Sequence, residues 1–194
     1  MGTFYSGGLS VAETQTLTRA RNITPTGREQ FFGDDEVIVS KTDLKGRMTY
    51  VNRVFMRIAG YHEEELLGQP HSLIRHPEMP RSVFKLLWDT LEARKEIFAY
   101  VVNLCKNGDH YWVFAHVTPS FDGSGAVNGY HSNRRVPDRK VIDGVIRPLY
   151  KQLLEEENRH ANRKDGMNSA FSMLVNLLEQ KGVGYDEFIF SLKG

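Results

Sequence analysis

One short block and two isolated side chains of this chain could bind a ligand. The block is Arg75-His76-Pro77-Glu78, in an irregular stretch between two helical patterns. A guanidinium can form planar, bidentate hydrogen bonds to a pyrophosphate or to the polar edge of a ring, and the neighbouring imidazole can hydrogen-bond or stack. The alternative is that Arg75 pairs with Glu78 at the surface, while His76 simply precedes a proline in extended backbone.

Two further polar or aromatic side chains are candidates because of where they lie in apolar patterns. Asn103 is in the middle of an apolar strand pattern, and a buried amide needs partners that a ligand could supply. The alternative is that its side chain faces solvent. Trp88 lies next to Leu87 in a helical pattern, where core packing is the alternative to ligand contact.

Composition limits the classes of function. The chain has 194 residues and a formal net charge of +1, which argues against nucleic acid as the main partner. Its apolar runs are far shorter than the roughly 20 residues of a membrane span, and no signal-peptide core is apparent. The single cysteine, Cys105, excludes an internal disulfide and is interpreted as structural. We therefore expect a cytoplasmic protein without membrane insertion.

Alternation and turn residues predict five strands. The predicted strands cover residues 36–40, 47–51, 98–105, 111–119 and 126–133. Between the third and fourth strands, Asn107-Gly108 is typical of a two-residue hairpin with a type I′ turn, because both central positions of that turn need positive φ.

Helical periodicity fills most of the remaining chain. Predicted helices cover residues 53–59, 63–67, 81–94, 141–157, 168–181 and 185–192. Asn52 suits the N-cap of the first helix and Gly60 its end, while Pro148 should kink the fourth helix if that helix begins before it. The charged residues 155–165 are interpreted as a solvated helix face or a linker. The order predicts an α+β fold: a five-stranded antiparallel sheet with short helices on one face.

The chain divides into three predicted parts. Residues 1–34 form an N-terminal cap with a weak helical pattern at 11–21, residues 35–137 form the main domain, and residues 138–194 form a C-terminal helical extension. The two last helices each have an apolar face that must be covered. The sheet, the N-terminal residues or a second copy of the chain could cover them, and we expect a homodimer in which these helices pair.

Residues 37–150 resemble a PAS domain, and within that superfamily the sensory domain of the bacterial aerotaxis receptor group. The segments that carry the resemblance are Met48-Thr49-Tyr50-Val51-Asn52, Gly60-Tyr61, Glu65-Leu66-Leu67-Gly68-Gln69-Pro70-His71, Ile74-Arg75-His76-Pro77-Glu78-Met79-Pro80, Phe84-Lys85-Leu86-Leu87-Trp88, Lys106-Asn107-Gly108-Asp109-His110-Tyr111-Trp112-Val113 and Arg147-Pro148-Leu149-Tyr150. The Arg-His-Pro-x-Met-Pro block points to the subgroup, and the others specify the fold.

The resemblance implies a module that holds FAD non-covalently, with the isoalloxazine ring between the sheet and the helices. The family's binding residues correspond to Asn52, Arg75, His76, Glu78, Trp88 and Asn103 of this chain. This chain has Glu78 where the family usually has Asp. It also has Phe98 where the family usually has Trp, and Phe98 completes the predicted set.

The resemblance further implies a redox or oxygen sensor of the energy-taxis type. Its partner would be a chemoreceptor or a histidine-kinase-type protein, reached through the strand at 126–133 and the helix after Pro137. Heme is the rival cofactor, although none of the seven histidines has a spacing that marks it as a ligand. A cofactor-free PAS scaffold for protein interaction is the other alternative. We expect no enzyme, because no catalytic arrangement or Walker-type loop occurs.

Overall fold

The computed structural model describes residues 23–192, which fold around an antiparallel sheet of five strands. The strands are β1 (Ile38–Thr42), β2 (Met48–Val51), β3 (Ile97–Leu104), β4 (His110–Phe121) and β5 (Val127–Arg135). Their order across the sheet is β2-β1-β5-β4-β3, so β5 lies at the centre and β3 at one edge. The predicted α+β class and the five-stranded antiparallel sheet are confirmed.

Helices connect β2 to β3, and further helices follow β5. They are α1 (Arg53–Ala59), α2 (Glu63–Leu66), a 3-10 turn (His71–Ile74), α3 (Arg81–Glu92), α4 (Arg139–Val141), a π-helical segment (Ile142–Ile146), α5 (Arg147–Asn158), α6 (Arg163–Lys181) and α7 (Tyr185–Ser191). Asn52 caps α1 and Gly60 ends it at a φ of 74°, both as predicted. The weak helical pattern at residues 11–21 lies outside the described residues.

The β3–β4 hairpin forms where the sequence predicts it, but with a different turn. Gly108 has a φ of 92°, whereas Asn107 keeps a negative φ, so the type I′ prediction is wrong. The N–H of Gly108 donates to the carbonyl of Cys105 at 3.0 Å, as in a four-residue turn that ends in a left-handed glycine. The Asn107 side chain bonds the backbone N–H of Asp109 at 3.0 Å, which favours this geometry.

The described part of the N-terminal cap lies against the β3–β4 hairpin. The N–H of Thr26 donates to the carbonyl of Gly108 at 2.8 Å, and that of Gln30 to His110 at 2.7 Å. Asp109 accepts hydrogen bonds from the side chains of Thr26 and Gln30. These hydrogen bonds hold the pKa of the Asp109 carboxyl at about 2. The segment is thus fixed to the core by a carboxylate as well as by its backbone.

The C-terminal helices pack against the edge strand β3, where they contact Tyr100 and Phe98. The hydroxyl of Tyr150 on α5 donates to the carbonyl of Tyr100 at 2.5 Å, and Phe190 on α7 contacts the ring of Phe98 at 4.8 Å. The break before Pro148 is a π-helical segment, in which the N–H of Arg147 bonds the carbonyl of Ile142. This segment accommodates the proline, so the helical path continues from residue 139 to residue 158.

The apolar faces of α6 and α7 are buried within the chain. Their buried apolar side chains are Ala170, Leu174, Leu178, Phe188 and Ile189, and all belong to the main core. The intramolecular alternative for covering these faces is therefore the one observed. The need to cover these apolar faces therefore no longer supports a homodimer, and the homodimer stays a prediction.

Candidate functional site

A cavity of about 270 Å³ lies between the inner face of the sheet and helix α3. Because side chains alternate along a strand, β1, β3, β4 and β5 each contribute every second residue to it. The strand residues are Ser40, Thr42, Val101, Asn103, Ala115, Val117, Tyr130, Ser132 and Arg134. The α3 residues follow helical spacing and are Phe84, Leu87, Trp88 and Leu91. The cavity is thus built from regular elements, with apolar walls and a few polar groups, as small-molecule sites usually are.

The charges around this cavity have one sign. Arg75, Arg134 and Lys45 line it, and no Asp or Glu among residues 23–192 does so. Lys45 is exposed, which puts it at the opening, whereas Arg134 lies on the central strand. The cavity therefore favours a ligand with hydrogen-bond acceptors or negative charge facing the two arginines.

Arg134 is the most deeply buried of these cations, with 4% of its surface exposed. Its Nη2 donates to the hydroxyl of Ser40 and to Nε2 of His71, both at 2.7 Å. Its Nη1 is buried and has no hydrogen-bond partner within the described chain. Burial lowers the pKa of Arg134 to about 10, so the group remains charged at neutral pH. A buried donor without a partner is unfavourable, and a ligand acceptor would satisfy it.

Arg75 lies at the other side of the cavity. Its guanidinium carbon lies 3.6 Å from the centre of the Phe84 ring, and its backbone pairs with that of Asn103. The Arg75 Nε is buried and makes no hydrogen bond to any described residue. Burial lowers its pKa to about 10, an effect that the nearby Glu157 carboxylate partly offsets. Arg75 does not pair with Glu78, which is exposed.

Three uncharged polar atoms on the cavity wall also have no hydrogen-bond partner among residues 23–192. They are Nδ2 of Asn103, Oγ of Ser132 and Oγ1 of Thr42. Asn103 is only 3% exposed, so its side chain points inward rather than to solvent. Native proteins satisfy most buried polar atoms, so a cluster of atoms without protein partners on one cavity wall offers hydrogen bonds to a polar ligand or to water.

His71 is the histidine that lines the cavity, and it is not arranged to bind a metal. A guanidinium can only donate, so the contact with Arg134 makes Nε2 of His71 the acceptor and leaves the ring neutral. Burial first, and then the two arginines, hold the pKa of His71 well below its ordinary value. Because its Nε2 lone pair is engaged by Arg134, this histidine is a poor axial ligand for heme iron.

The structure brings three of the seven predicted site residues together at the cavity: Arg75, Trp88 and Asn103. The Trp88 ring lies edge-on to Tyr130 with 5.4 Å between ring centres. It therefore both packs in the wall and faces the cavity. These placements leave direct ligand contact by the three residues as a prediction.

The remaining four residues do not line this cavity. The amide of Asn52 bonds backbone groups of Phe55, Val39 and Val37. His76 is buried beside His110, with 5.5 Å between ring centres, and burial lowers its pKa. Phe98 lies on the opposite face of the sheet, stacked on His116 at 4.2 Å. The positions of Asn52, His76, Glu78 and Phe98 give no support to direct ligand contact.

Sequence reasoning missed Arg134, Ser132 and His71. Tyr130, Ser132 and Arg134 recur at every second position, which would have put them on one face of β5. The predicted strand stops at residue 133, however, and so excludes the arginine. His71 gives no comparable signal, since its position depends on the 3-10 turn before Arg75.

Cys105 lies outside the cavity. Its thiol donates to the carbonyl of Ile58 at 3.2 Å, and burial raises its pKa to about 12. Since the chain has no other cysteine, no thiol can form an adduct with a ligand in the cavity.

A second, larger cavity of about 510 Å³ lies between the N-terminal segment, α1–α2 and the β3–β4 hairpin. Its charged side chains are already paired, Arg57 with Glu36 and Lys106 with Glu65. It therefore lacks the unsatisfied groups that mark the first cavity.

Residues 48–133 match the family PAS_3, described as the PAS fold. The aerotaxis receptor of Escherichia coli (strain K12) is 41% identical over 121 residues, which is 62% of this chain and 23% of the receptor. The nitrogen fixation regulatory protein of Klebsiella pneumoniae is 30% identical over 99 residues, which is 51% of this chain and 20% of that protein. This chain thus spans less than a quarter of these curated relatives.

Among solved structures, a light-oxygen-voltage domain studied with a flavin analogue has a TM-score of 0.51 and 18% identity, covering 60% of this chain and 87% of that one. At that identity the likeness shows the fold alone. Residues 48–133 are therefore a PAS domain, and the predicted resemblance to PAS domains of the aerotaxis receptor group is confirmed. Within residues 23–192, no helix is long and apolar enough to cross a membrane.

Proposed function

We propose that this chain is a redox or oxygen sensor that holds FAD non-covalently in the cavity beneath α3. The observation that carries the proposal is the set of buried polar atoms on Arg75, Asn103, Ser132 and Arg134 that have no hydrogen-bond partner among residues 23–192, in a cavity that no described carboxylate lines. A flavin ring has carbonyl oxygens and ring nitrogens along one edge and an apolar body. That combination suits donors on one wall and aromatic and aliphatic side chains on the others.

The size of the cavity fits the ring and not the whole dinucleotide. Its volume of about 270 Å³ lies just below the roughly 300–1,000 Å³ of ordinary ligand pockets. The ring would therefore be enclosed, and the phosphates and adenine would lie towards the opening. Lys45, exposed there, is the cation available to the phosphates.

A bound flavin supplies reversible uptake of electrons and protons, and with it a change of charge inside the cavity. Arg134 and Arg75 would stabilise negative charge on the ligand, because neither faces a carboxylate of the described residues in the cavity. A change in the ligand's charge would alter the hydrogen bonds that Arg134 makes to Ser40 and His71. We propose that β5, which carries Arg134 and leads into α4, transmits that change.

The alternatives are less well supported. Heme would need an axial ligand, and the His71 Nε2 is engaged by Arg134. A cofactor-free scaffold would leave Nη1 of Arg134 and several other buried polar atoms without a partner among residues 23–192, which is unfavourable. A light sensor that works by a cysteine adduct has no thiol at the cavity. A non-catalytic role agrees with relatives named as a receptor and a regulatory protein.

The partner, the oligomeric state and the location remain predictions. We propose a chemoreceptor or a histidine-kinase-type protein as the partner, and a cytoplasmic homodimer as the sensing unit. Elution of the full chain at the mass of a single chain would contradict the homodimer.

A melting experiment with added FAD tests the ligand proposal. At a free FAD concentration 100 times the dissociation constant, binding to the folded state alone adds about 2.7 kcal/mol. For a domain of this size that corresponds to roughly 5–10 °C in melting temperature. FMN and hemin serve as comparison ligands. No increase with FAD in the flavin-free chain would reject the proposal, and a larger increase with hemin would favour heme.

A further inference from the structure

The carboxylate of Glu157 is buried between the C-terminal helix α5 and the start of the cavity helix α3. Its side chain is 1% exposed. It accepts hydrogen bonds from Nε of Arg81 at 3.0 Å and from the backbone N–H of Ser82 at 2.8 Å. We refer to Glu157, Arg81 and Ser82 as the latch. The sequence interpretation of residues 155–165 as a solvated helix face or a linker is wrong for Glu157, which is buried.

The latch supplies a cap that α3 does not have locally. Pro80 precedes the helix, and no side chain at that position bonds its first N–H groups. A carboxylate at a helix N-terminus satisfies a free N–H group and interacts favourably with the helix dipole. Here the carboxylate comes from a helix 75 residues further along the chain.

Helix α3 is a wall of the cavity. Phe84 lies under the guanidinium of Arg75, and Trp88 lies edge-on to Tyr130 on the central strand. A movement of α3 therefore alters the environment of Arg75 and the shape of the cavity.

Helix α6 is joined to the same latch. Nη1 of Arg81 donates to the carbonyl of Arg163 at 3.2 Å, and Lys85 on α3 lies 4.7 Å from the ring of Phe171. Gly166 allows α6 to cross α5 closely, since a Cβ there would lie 2.2 Å from the carbonyl oxygen of Glu157. Movement of α6 away from α3 would therefore break the hydrogen bond from Arg81 to the Arg163 carbonyl and disturb the Arg81 side chain that binds Glu157.

We propose that the latch couples occupancy of the PAS cavity to packing of the C-terminal helices against α3. A ligand in the cavity then stabilises the contact of α6 with α3, and that contact in turn strengthens ligand binding. The inference rests on the proposed function for the identity of the ligand, but not for the contacts themselves. Separating α3 from α5 would break the hydrogen bonds of Glu157 to Arg81 and Ser82 and remove the acceptor at the start of α3, so the latch favours movement of the two elements together. Coupling between sites is reciprocal and commonly amounts to about 5- to 150-fold.

Hydrogen exchange of the full chain tests the coupling, with FAD as the added probe. In the wild type, FAD is expected to slow exchange in both α3 and α6, by at least about fivefold in α6. The Glu157→Gln side chain can still accept the hydrogen bond from Ser82, but it lacks the charge that faces Arg81. In this variant FAD should still slow hydrogen exchange in α3, whereas it should slow exchange in α6 by less than about twofold. Glu155→Gln is the matched control, because Glu155 is half exposed on the same helix and should behave as wild type.

The outcomes separate the latch from the choice of ligand. If FAD binds and α6 is slowed equally in wild type and Glu157→Gln, or is not slowed in wild type, the latch is rejected while the ligand proposal stands. If FAD does not bind, the latch is tested by comparing hydrogen exchange in the flavin-free wild type and the flavin-free variant. Glu157→Gln should then speed exchange in α3 and α6 together, and faster exchange in α3 alone rejects the latch. If Glu157→Gln does not fold, the same comparisons are made with Arg81→Gln.

Discussion

Arg134→Met is expected to weaken FAD binding by about 10- to 150-fold, because it removes a hydrogen bond from a charged donor that contributes about 1.5–3 kcal/mol. The same substitution should leave the free energy of unfolding of the flavin-free chain unchanged or raise it by roughly 1 kcal/mol. Arg134 is a buried cation without a facing carboxylate in the described chain. Burying an unpaired charge is costly, and removal of that cost offsets the loss of the hydrogen bonds from Arg134 to Ser40 and His71.

Opposite effects on binding and stability distinguish a ligand-binding arginine from a structural one. Flavin fluorescence titration gives the affinity, and urea unfolding gives the stability. Arg135→Met is the matched control, since Arg135 is the next residue on β5 and is exposed. Both quantities should stay at wild-type values in the control. If Arg134→Met binds FAD normally and is strongly destabilised, the arginine is structural and its assignment to the site is wrong.

Glu157→Ala is expected to lower the free energy of unfolding by about 3–5 kcal/mol, the usual effect of removing one partner of a buried ion pair. For a domain of this size this is a fall of roughly 6–20 °C in melting temperature. The substitution leaves the Ser82 N–H and the Arg81 guanidinium without their acceptor.

Calorimetry of Glu157→Ala beside Glu155→Ala makes the comparison. Glu155 is about 4.0 Å from Lys151 in an exposed pair, which contributes little, so its removal should change the melting temperature by no more than a degree or two. Equal melting temperatures for the two variants would mean that the Glu157 contacts do not stabilise the folded chain.

The features that sequence reasoning predicted correctly depend on neighbouring residues. Asn52 caps α1 and Gly60 ends it because both signals act over three or four residues. The strands and the long helices follow from alternation and helical spacing. Asn103 was predicted as a candidate because an amide within an apolar strand has few ways to be satisfied, and the structure does bury it.

The missed features depend on contacts distant in the sequence. Glu157 looks like a surface residue because its sequence neighbours are charged, whereas its partners Arg81 and Ser82 lie about 75 residues away. Arg134 was missed because the end of β5 is fixed by pairing with β1, and residue 134 pairs with Ile38. Phe98 was predicted by correspondence with a family position, but its place on the strand directs it to the opposite face of the sheet. Local patterns alone do not contain this information.

The absorption spectrum of the full chain, purified and then incubated with FAD and freed of excess ligand, tests the FAD assignment most directly. Flavin bands in the blue region are expected, at about one FAD per chain, and they should be much weaker in Arg134→Met than in Arg135→Met. A Soret band in the purified protein would mean heme instead. A colourless protein after incubation, with an unchanged melting temperature, would contradict FAD binding in this cavity.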